Sequence, residues 1–404
     1  MIDDVQLEQN HPERQYSSAQ AQLLLDEALL EAGLRCHDLI ACSDVSPFSY
    51  KCALVQNDGV ILATTSGKGR NLEQAKLSAC YESLEYACSF IQRRPAGMVF
   101  EFLSLEEVRE RGIPTLEKFY ESNFFEQIDP KKRITWLPFV SLRDQSISYL
   151  PWALFNPTFL EFDDNPDQLM SEDMCFLTTG NGIAIGASVE EAVIHGLSEA
   201  IERDATSVYL KQTFLLNIPP TAIDVTTLPE QLQKLVRKIE STTRHQLVLI
   251  DMPVRIAGFF AFQARLVDTA YLCGYGCSAN IEYAIERALL ECKEAFDVSY
   301  CTEVNPDFSF IENSPALMRC AKNDLSSFVR EKLIVYKPFK PSIVPSDFLG
   351  FYQHILKLLD NHQHAVYINT FRKFSNGVSI IIAFVPGFSF LFAVQKGYPC
   401  DLEI

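Results

Sequence analysis

At 404 residues, 48% hydrophobic and 22% charged, the chain has the composition of a globular protein with ample length for a large core. Its formal net charge of −17 argues against a nucleic-acid or anionic-membrane partner, so a polyanionic ligand would need metal ions to bring it in. The 12 Cys form no Cys-x-x-Cys pair, and the first residues, Met1-Ile2-Asp3-Asp4, lack the apolar core of a signal peptide, which together predict a cytoplasmic protein with reduced thiols.

In chain order, residues 1 to about 16 are polar and expected to be loose, ahead of one folded unit over 17–404. Ala19 to Gly33 reads as a helix closed by its glycine. Lys51–Val55 and Val60–Thr64 read as strands joined through Asn57-Asp58-Gly59. A first acidic helix is expected from Leu72 to Gln92, ended by Arg93-Arg94-Pro95. Strand-like runs follow at Ile134–Leu142 and Ser146–Phe155, then a surface loop at Asn165-Pro166-Asp167. A second acidic helix spans Val189 to Lys211, and a further helix Pro229 to Thr242. Strands at Gln246–Ile250 and Gly258–Val267 precede a third acidic helix, Ile281 to Val298. The stretch 305–345 reads as irregular, followed by a helix at Ser346–Leu359 and strands at Ala365–Asn369, Val378–Val385 and Phe388–Val394. The last two are separated by Pro386-Gly387, which breaks the apolar run into core strands too short to be a membrane span.

The three acidic helices share one pattern. Gly67-Lys68-Gly69 is followed by Ala75, Glu82 and Glu85; Ala184-Ile185-Gly186 by Ala192, Glu199 and Glu202; Gly276-Cys277-Ser278 by Ala284, Glu291 and Glu294, all at the same spacing. Asn71, Ser188 and Asn280 are the expected N-caps. Each unit thus reads as a small-residue turn, a cap and a helix. At ~100° per residue, the Ala, the residue three on (Ser78, His195, Arg287) and both Glu fall within an arc of roughly 80°. Three such faces meeting would gather six carboxylates, which cannot all stay ionised without divalent cations or basic partners. A Glu pair at this spacing is also common on a solvated helix face; the threefold recurrence favours the functional reading.

These motifs resemble the YcaO family. Gly180 to Ala205, with Glu199-Ala200-Ile201-Glu202-Arg203-Asp204, is similar to the family's glycine-rich turn followed by Glu-x-x-Glu-Arg-Asp. Gly67-Lys68-Gly69 with Ser78, Glu82 and Glu85 resembles its first motif, and Arg287-Ala288-Leu289 with Glu291 and Glu294 its third. Trp136-Leu137-Pro138, Pro151-Trp152 and Asp251-Met252-Pro253 also fall where the family has similar residues, so the resemblance covers about Ala63 to Gly387. It implies a single α/β (α+β) domain, with internal quasi-repeats of turn plus acidic helix packed on mixed or antiparallel sheets.

The activity implied is activation of peptide backbone amides with ATP and Mg²⁺. The amide oxygen takes the γ-phosphate, a Cys, Ser or Thr side chain or an external sulfide attacks the amide carbon, and phosphate leaves. The product is an azoline ring or a thioamide. The resemblance makes Glu82, Glu85, Glu199 and Glu202 the metal ligands, and Lys68, Ser78, Glu191, Arg203 and Arg287 the nucleotide contacts. It makes Arg203, Arg287 and Glu291 catalytic, and matches Arg14 to an N-terminal basic residue of the nucleotide site. Other readings stay open: Glu191 as a capping-box partner of Ser188, Arg203 and Arg287 as partners of acids one turn away, Lys68 as an exposed turn residue, and His195 as a buried structural histidine. Tyr86, Ala187 and Glu294 depart from the family's usual Arg, Asn and Gln. The chain ends Gly397-Tyr398-Pro399-Cys400-Asp401-Leu402-Glu403-Ile404, without the Pro-x-Pro-x-Pro tail of many azoline-forming members. The lack of that motif moves weight toward thioamide formation or an accessory, non-catalytic role, with azoline formation on a ribosomally made peptide still the leading expectation. The expected partners are a peptide substrate and a separate substrate-recognition protein, with a homodimer allowed.

Overall fold

The computed structural model describes residues 11–91, 99–115, 129–155, 180–269, 272–299, 308–361 and 364–396. Helix α1 (Ser18–Ala32) starts on a capping box between Ser17 and Gln20 and ends at Gly33, whose φ of 69° suits glycine. It leads into β1 (Leu34–Ala41), β2 (Phe48–Gln56), β3 (Ile61–Gly69) and α2 (Leu72–Tyr86), which continues as π-helix over Ala87–Ile91. Then come β4 (Glu101–Ser104), α3 (Leu105–Glu110), β5 (Arg133–Ser141), β6 (Ile147–Pro151), β7 (Ile183–Gly186) and α4 (Val189–Leu210). After β8 (Thr221–Ile223), α5 (Glu230–Thr243), β9 (Leu247–Met252), β10 (Phe260–Leu266) and β11 (Cys273–Ser278) comes α6 (Ile281–Ser299). The remainder is α7 (Pro315–Lys322), α8 (Ser326–Arg330), β12 (Val335–Lys337), α9 (Phe348–Asn361), β13 (Tyr367–Lys373) and β14 (Ser379–Phe384).

The fold is mixed α/β, built on three sheets. One is the antiparallel meander β1-β2-β3. A second has the order β11-β10-β9-β8-β12, with only its β8–β12 pair parallel. The third runs β4-β5-β13-β14-β7, with β6 paired to β5. Trp136, Phe139 and Trp152 are fully buried in the core beneath the first and third sheets.

Each acidic helix follows the last strand of its unit and packs back on it: α2 on β3, α4 on β7, α6 on β11. Each also touches a strand of another unit, α2 meeting β7, α4 meeting β11 and α6 meeting β3, so the three units close into a ring. Glycine makes the approach close enough. A Cβ on Gly67 would lie 2.0 Å from the Ala79 nitrogen, on Gly186 2.3 Å from that of Ala192, and on Gly276 2.2 Å from the Ala284 oxygen. A Cβ on Gly69 would likewise lie 2.5 Å from the Ala75 nitrogen, and Ala75, Ala79, Ala192 and Ala284 are wholly buried at these contacts. The recurring glycine and alanine are thus the two sides of strand–helix contacts with no room for a side chain.

Several expectations change. The small-residue stretches before the caps are strand ends, because Gly67, Lys68 and Gly69 pair with β2, Ala184 to Gly186 with β14, and Gly276 to Ser278 with β10. Strands β1, β4, β8 and β11 and helix α3 have no counterpart in the sequence-based expectations. Phe388–Val394 is not a strand: Leu391–Lys396 forms a 3₁₀ helix whose start is held by Ser207, which accepts from the Phe392 N–H at 3.0 Å. The 305–345 stretch, expected to be irregular, contains α7, α8 and β12. Of the segment expected to be loose, residues 1–10 lie outside the described residues, whereas 11–16 are held against α4, β11 and α6, and Glu13 is only 4% exposed. The expectations on Met1–Asp4, Arg93-Arg94-Pro95, Asn165-Pro166-Asp167 and the tail from Gly397 lie outside the described residues. Among the described residues, no helix is long and apolar enough to cross a membrane.

Candidate active site

The three N-caps form as expected. Asn71 accepts from the Gln74 N–H at 2.8 Å, Ser188 from the Glu191 N–H at 3.2 Å, and Asn280 from the Glu282 N–H at 3.0 Å. They fix where each helix starts and therefore which side chains face the centre of the ring.

One turn in, Ser78, His195 and Arg287 line a cavity of about 260 Å³. Its charged walls are Arg14, Lys68, Glu82, Glu191 and Arg287; Leu77, Tyr81, Tyr283 and Leu290 supply apolar surface. The N-terminal segment closes one side. His11 stacks on Tyr283 with centroids 3.6 Å apart, and Glu13 hydrogen-bonds Ser278 at the end of β11. Burial and the nearby Arg14, Arg287 and Arg70 push the His11 pKa down to about 3, so the ring is neutral. Arg14 Nη1 donates to Glu191 at 2.6 Å and the Gln15 N–H to the same carboxylate at 3.3 Å. Glu191 therefore forms only half of a capping box: its N–H is capped by Ser188, while its carboxylate turns to the N-terminal segment.

The next two turns carry the carboxylates. Burial and the neighbouring Glu294, Glu199 and Glu291 push the Glu82 pKa up to about 7 against the pull of Lys68. Glu202 is pushed to about 7 by burial, Glu291 and Glu199, against Arg203 and Arg287. Glu85 is raised well above its ordinary value by burial, Glu82 and Glu199, although the Ile185 N–H donates to it at 2.7 Å. Acids from all three helices thus act on one another, as the helical arcs require. Glu291 is half-buried, and Lys68, Arg203 and Arg287 hold it below the ordinary carboxylate value despite the desolvation, while the Tyr275 N–H donates to it at 3.2 Å.

Lys68 is not an exposed turn residue. Its Nζ lies 3.2 Å from Glu291 and 3.0 Å from Glu294, which joins β3 of the first unit to α6 of the third. Glu294, the departure from the family's usual Gln, has thus found a cation. Arg203 lies 3.8 Å from Glu199 one turn earlier and over the ring of Phe392. Arg287 points its Nη2 at His195 Nε2, 3.4 Å away. Burial, Arg287 and Arg14 keep His195 well below its ordinary value, so the ring is neutral and Nε2 accepts. The buried Nε of Arg287 has no protein acceptor among the described residues.

All ten residues proposed from sequence lie on this ring of helices and strands. Sequence reasoning missed the full depth of the N-terminal contribution, His11 and Glu13 beside Arg14; in a polar stretch without periodicity nothing marks them as buried. It also gave no role to Asp204, which is 1% exposed, pairs with Arg255 and accepts from the Ser389 N–H at 2.9 Å. Arg255 in turn donates to the Gly387 carbonyl at 2.9 Å. The Asp of the Glu-Arg-Asp run therefore anchors the segment after β14 to α4.

Hard oxygen ligands suit Mg²⁺, and Arg14, Lys68 and Arg287 on the cavity wall suit a polyphosphate. The unmatched Arg287 Nε is a buried donor that such an anion would satisfy. Fold and site together define a mixed α/β protein with convergent acids at a basic cavity. Residues 66–389 match the family model described as YcaO cyclodehydratase, ATP- and Mg²⁺-binding. The chain belongs to the YcaO family, and its cofactors are ATP and Mg²⁺. An uncharacterized protein of Methanothermobacter thermautotrophicus is 27% identical over 245 residues, which span 59% of this chain and 58% of that relative. The YcaO of Methanopyrus kandleri, solved with AMPPCP and Mg²⁺, is similar in fold, with a TM-score of 0.66 at 17% identity over 97% of this chain and 96% of that one. A heterocyclase solved with substrate and cofactor matches at a TM-score of 0.65 and 18% identity over 94% of this chain and about half (52%) of its own. The Escherichia coli microcin synthetase McbBCD complex matches at 0.55 and 12% identity, over 88% of each chain.

Proposed function

We propose that this chain activates peptide backbone amides with ATP and Mg²⁺, forming azoline rings in a ribosomally made peptide. The observation that carries the reading is the electrostatic coupling of Glu82, Glu85, Glu199, Glu202 and Glu291 from three helices, with Glu82 lining a cavity walled by Arg14, Lys68 and Arg287. When bound, MgATP supplies the phosphoryl group that makes the amide oxygen a leaving group. Glu82, Glu85, Glu199 and Glu202 would hold the metal. Ser78, Lys68 and Glu191 would fix the nucleotide, with Arg14 orienting Glu191. Arg287 and Arg203 present planar donor forks to charge that develops on the phosphates. Glu291, kept ionised by its three cations, is the carboxylate in this group best suited to accept a proton or orient the reacting amide.

Thioamide formation shares every step up to the attack on the amide carbon, so these residues serve both outcomes. A chain of similar fold is solved within the McbBCD complex, which supports a separate partner for substrate recognition here. The test is peptide-dependent ATP hydrolysis with product mass. Loss of one water per residue supports the azoline reading, and exchange of one oxygen for sulfur, in the presence of sulfide, the thioamide reading. A protein that binds MgATP but never turns it over with any genome-neighbouring peptide would instead be a scaffold subunit.

A further inference from the structure

Behind the acidic helix α2, on the side away from the cavity, lies a second cluster of ligand-type side chains. Cys36 on β1, Cys52 on β2 and Cys80 on α2 place their sulfurs within 4.8 Å of one another. The Sγ atoms of Cys36 and Cys52 are 3.6 Å apart. Cys52 and Cys80 are buried and Cys36 is half-buried. Three elements separated in sequence therefore deliver three thiols to one point.

The geometry points to a site for one thiophilic metal ion, Zn²⁺, bound by Cys36, Cys52 and Cys80. A tetrahedral zinc thiolate has bonds of about 2.3 Å, so two of its sulfurs stand about 3.8 Å apart. The observed 3.6 Å matches that edge and is far longer than the roughly 2.05 Å of a disulfide. The register explains how strand thiols meet. Cys36 lies opposite Leu54 and Cys52 opposite Leu39, with a bulge between Cys36 and Asp38. Cys52 and Leu54 share a face, so Cys52 is the diagonal neighbour of Cys36 on the side turned to α2. The bulged residue, His37, is exposed and outside the group of three sulfurs, so a solvent molecule reaching the half-buried Cys36 completes the four ligands. Binding displaces the three thiol protons to solvent, so uptake strengthens as pH rises. Such an ion would clamp the edge of the first sheet to the helix that carries Glu82 and Glu85. It uses none of the residues assigned above to the nucleotide site.

The test uses the full chain, reduced and free of oxygen. It is dialysed against Zn²⁺, the bound metal is counted, and the protein is then titrated with Co²⁺. Thiolate ligation gives Co²⁺ an intense sulfur-to-metal charge-transfer absorption, whereas oxygen ligation by the glutamates gives none. The expected result is that absorption at one equivalent per chain, with Zn²⁺ displacing the Co²⁺. Cys36→Ser, at a half-buried strand position where folding is least at risk, should abolish the band and lower bound Zn²⁺ by one per chain. Cys80→Ser should do the same, and Cys42→Ser, outside the cluster, should change neither. Absence of the band, or a band that survives in Cys36→Ser, overturns the proposal. So does oxidation of Cys36 and Cys52 to a disulfide, seen as loss of two hydrogens by mass, in protein that takes up no Zn²⁺.

Discussion

Arg287 stands three residues after the alanine that lets α6 touch β11, so its guanidinium enters the cavity rather than solvent. It faces a neutral His195, stands near Tyr283 and keeps one buried N–H without a protein acceptor among the described residues. Lysine there keeps the charge but loses the fork. Arg287→Lys should therefore lower turnover at least tenfold while changing ADP affinity much less; steady-state rates and calorimetry read the two. Equal losses would assign Arg287 to ground-state binding. Lys68 works differently, as the cation that holds Glu291 and Glu294 together across units. In Lys68→Met both acids lose this cation and Glu291 keeps only Arg203 and Arg287, so the Glu291 pKa should rise and the metal-free protein should melt lower. Carboxylate titration by NMR and a thermal melt check this, and an unchanged Glu291 titration would contradict it.

At the scale of elements, the strand–helix contact sets the register of the site. Gly67→Ala would push the α2 backbone away from β3, since its Cβ meets backbone atoms that cannot swing aside. Overpacking of this kind costs about 1–3 kcal/mol. Denaturation should show that loss, and MgATP should protect the variant less, because Glu82 and Glu85 ride on the displaced helix. Full protection would mean the helix position does not matter to the site. The same contact explains what the sequence could reveal. The glycine, alanine and Glu-x-x-Glu spacing encodes close packing and a shared helix face, both local and periodic, so the three helices and their acids were legible. That the small residues end strands was not, because pairing to β2, β14 and β10 is long-range. The burial of His11 and Glu13 was hidden for the same reason, since their partners Tyr283 and Ser278 lie more than 260 residues away. Phe388–Val394 has the apolar content of a strand but gives its hydrogen bonds to Asp204 and Ser207 on α4.

Over the whole molecule, the ring gathers six carboxylates against Lys68, Arg203 and Arg287, and the imbalance has a pH signature. Glu82 and Glu202 titrate near 7 in the folded protein against an ordinary value of 4.5. Between those values the folded chain holds more protons than the unfolded one, so stability without metal should fall as pH rises through that window. Mg²⁺ binds the ionised forms, so its stabilising effect should grow over the same range; urea denaturation at about pH 5 and about pH 8, with and without Mg²⁺, reads both trends. A metal-free protein more stable at the higher pH would contradict the crowding of these acids. In the function proposed above, acids from separate helices jointly hold the metal that brings in the nucleotide. Thermal melts of the wild type and Glu199→Gln, each with and without MgATP, test it most directly. The wild type should show a clear MgATP-dependent rise. The variant should have a metal-free melting temperature equal to or above that of the wild type, with the rise lost. A full MgATP-dependent rise in Glu199→Gln would contradict it.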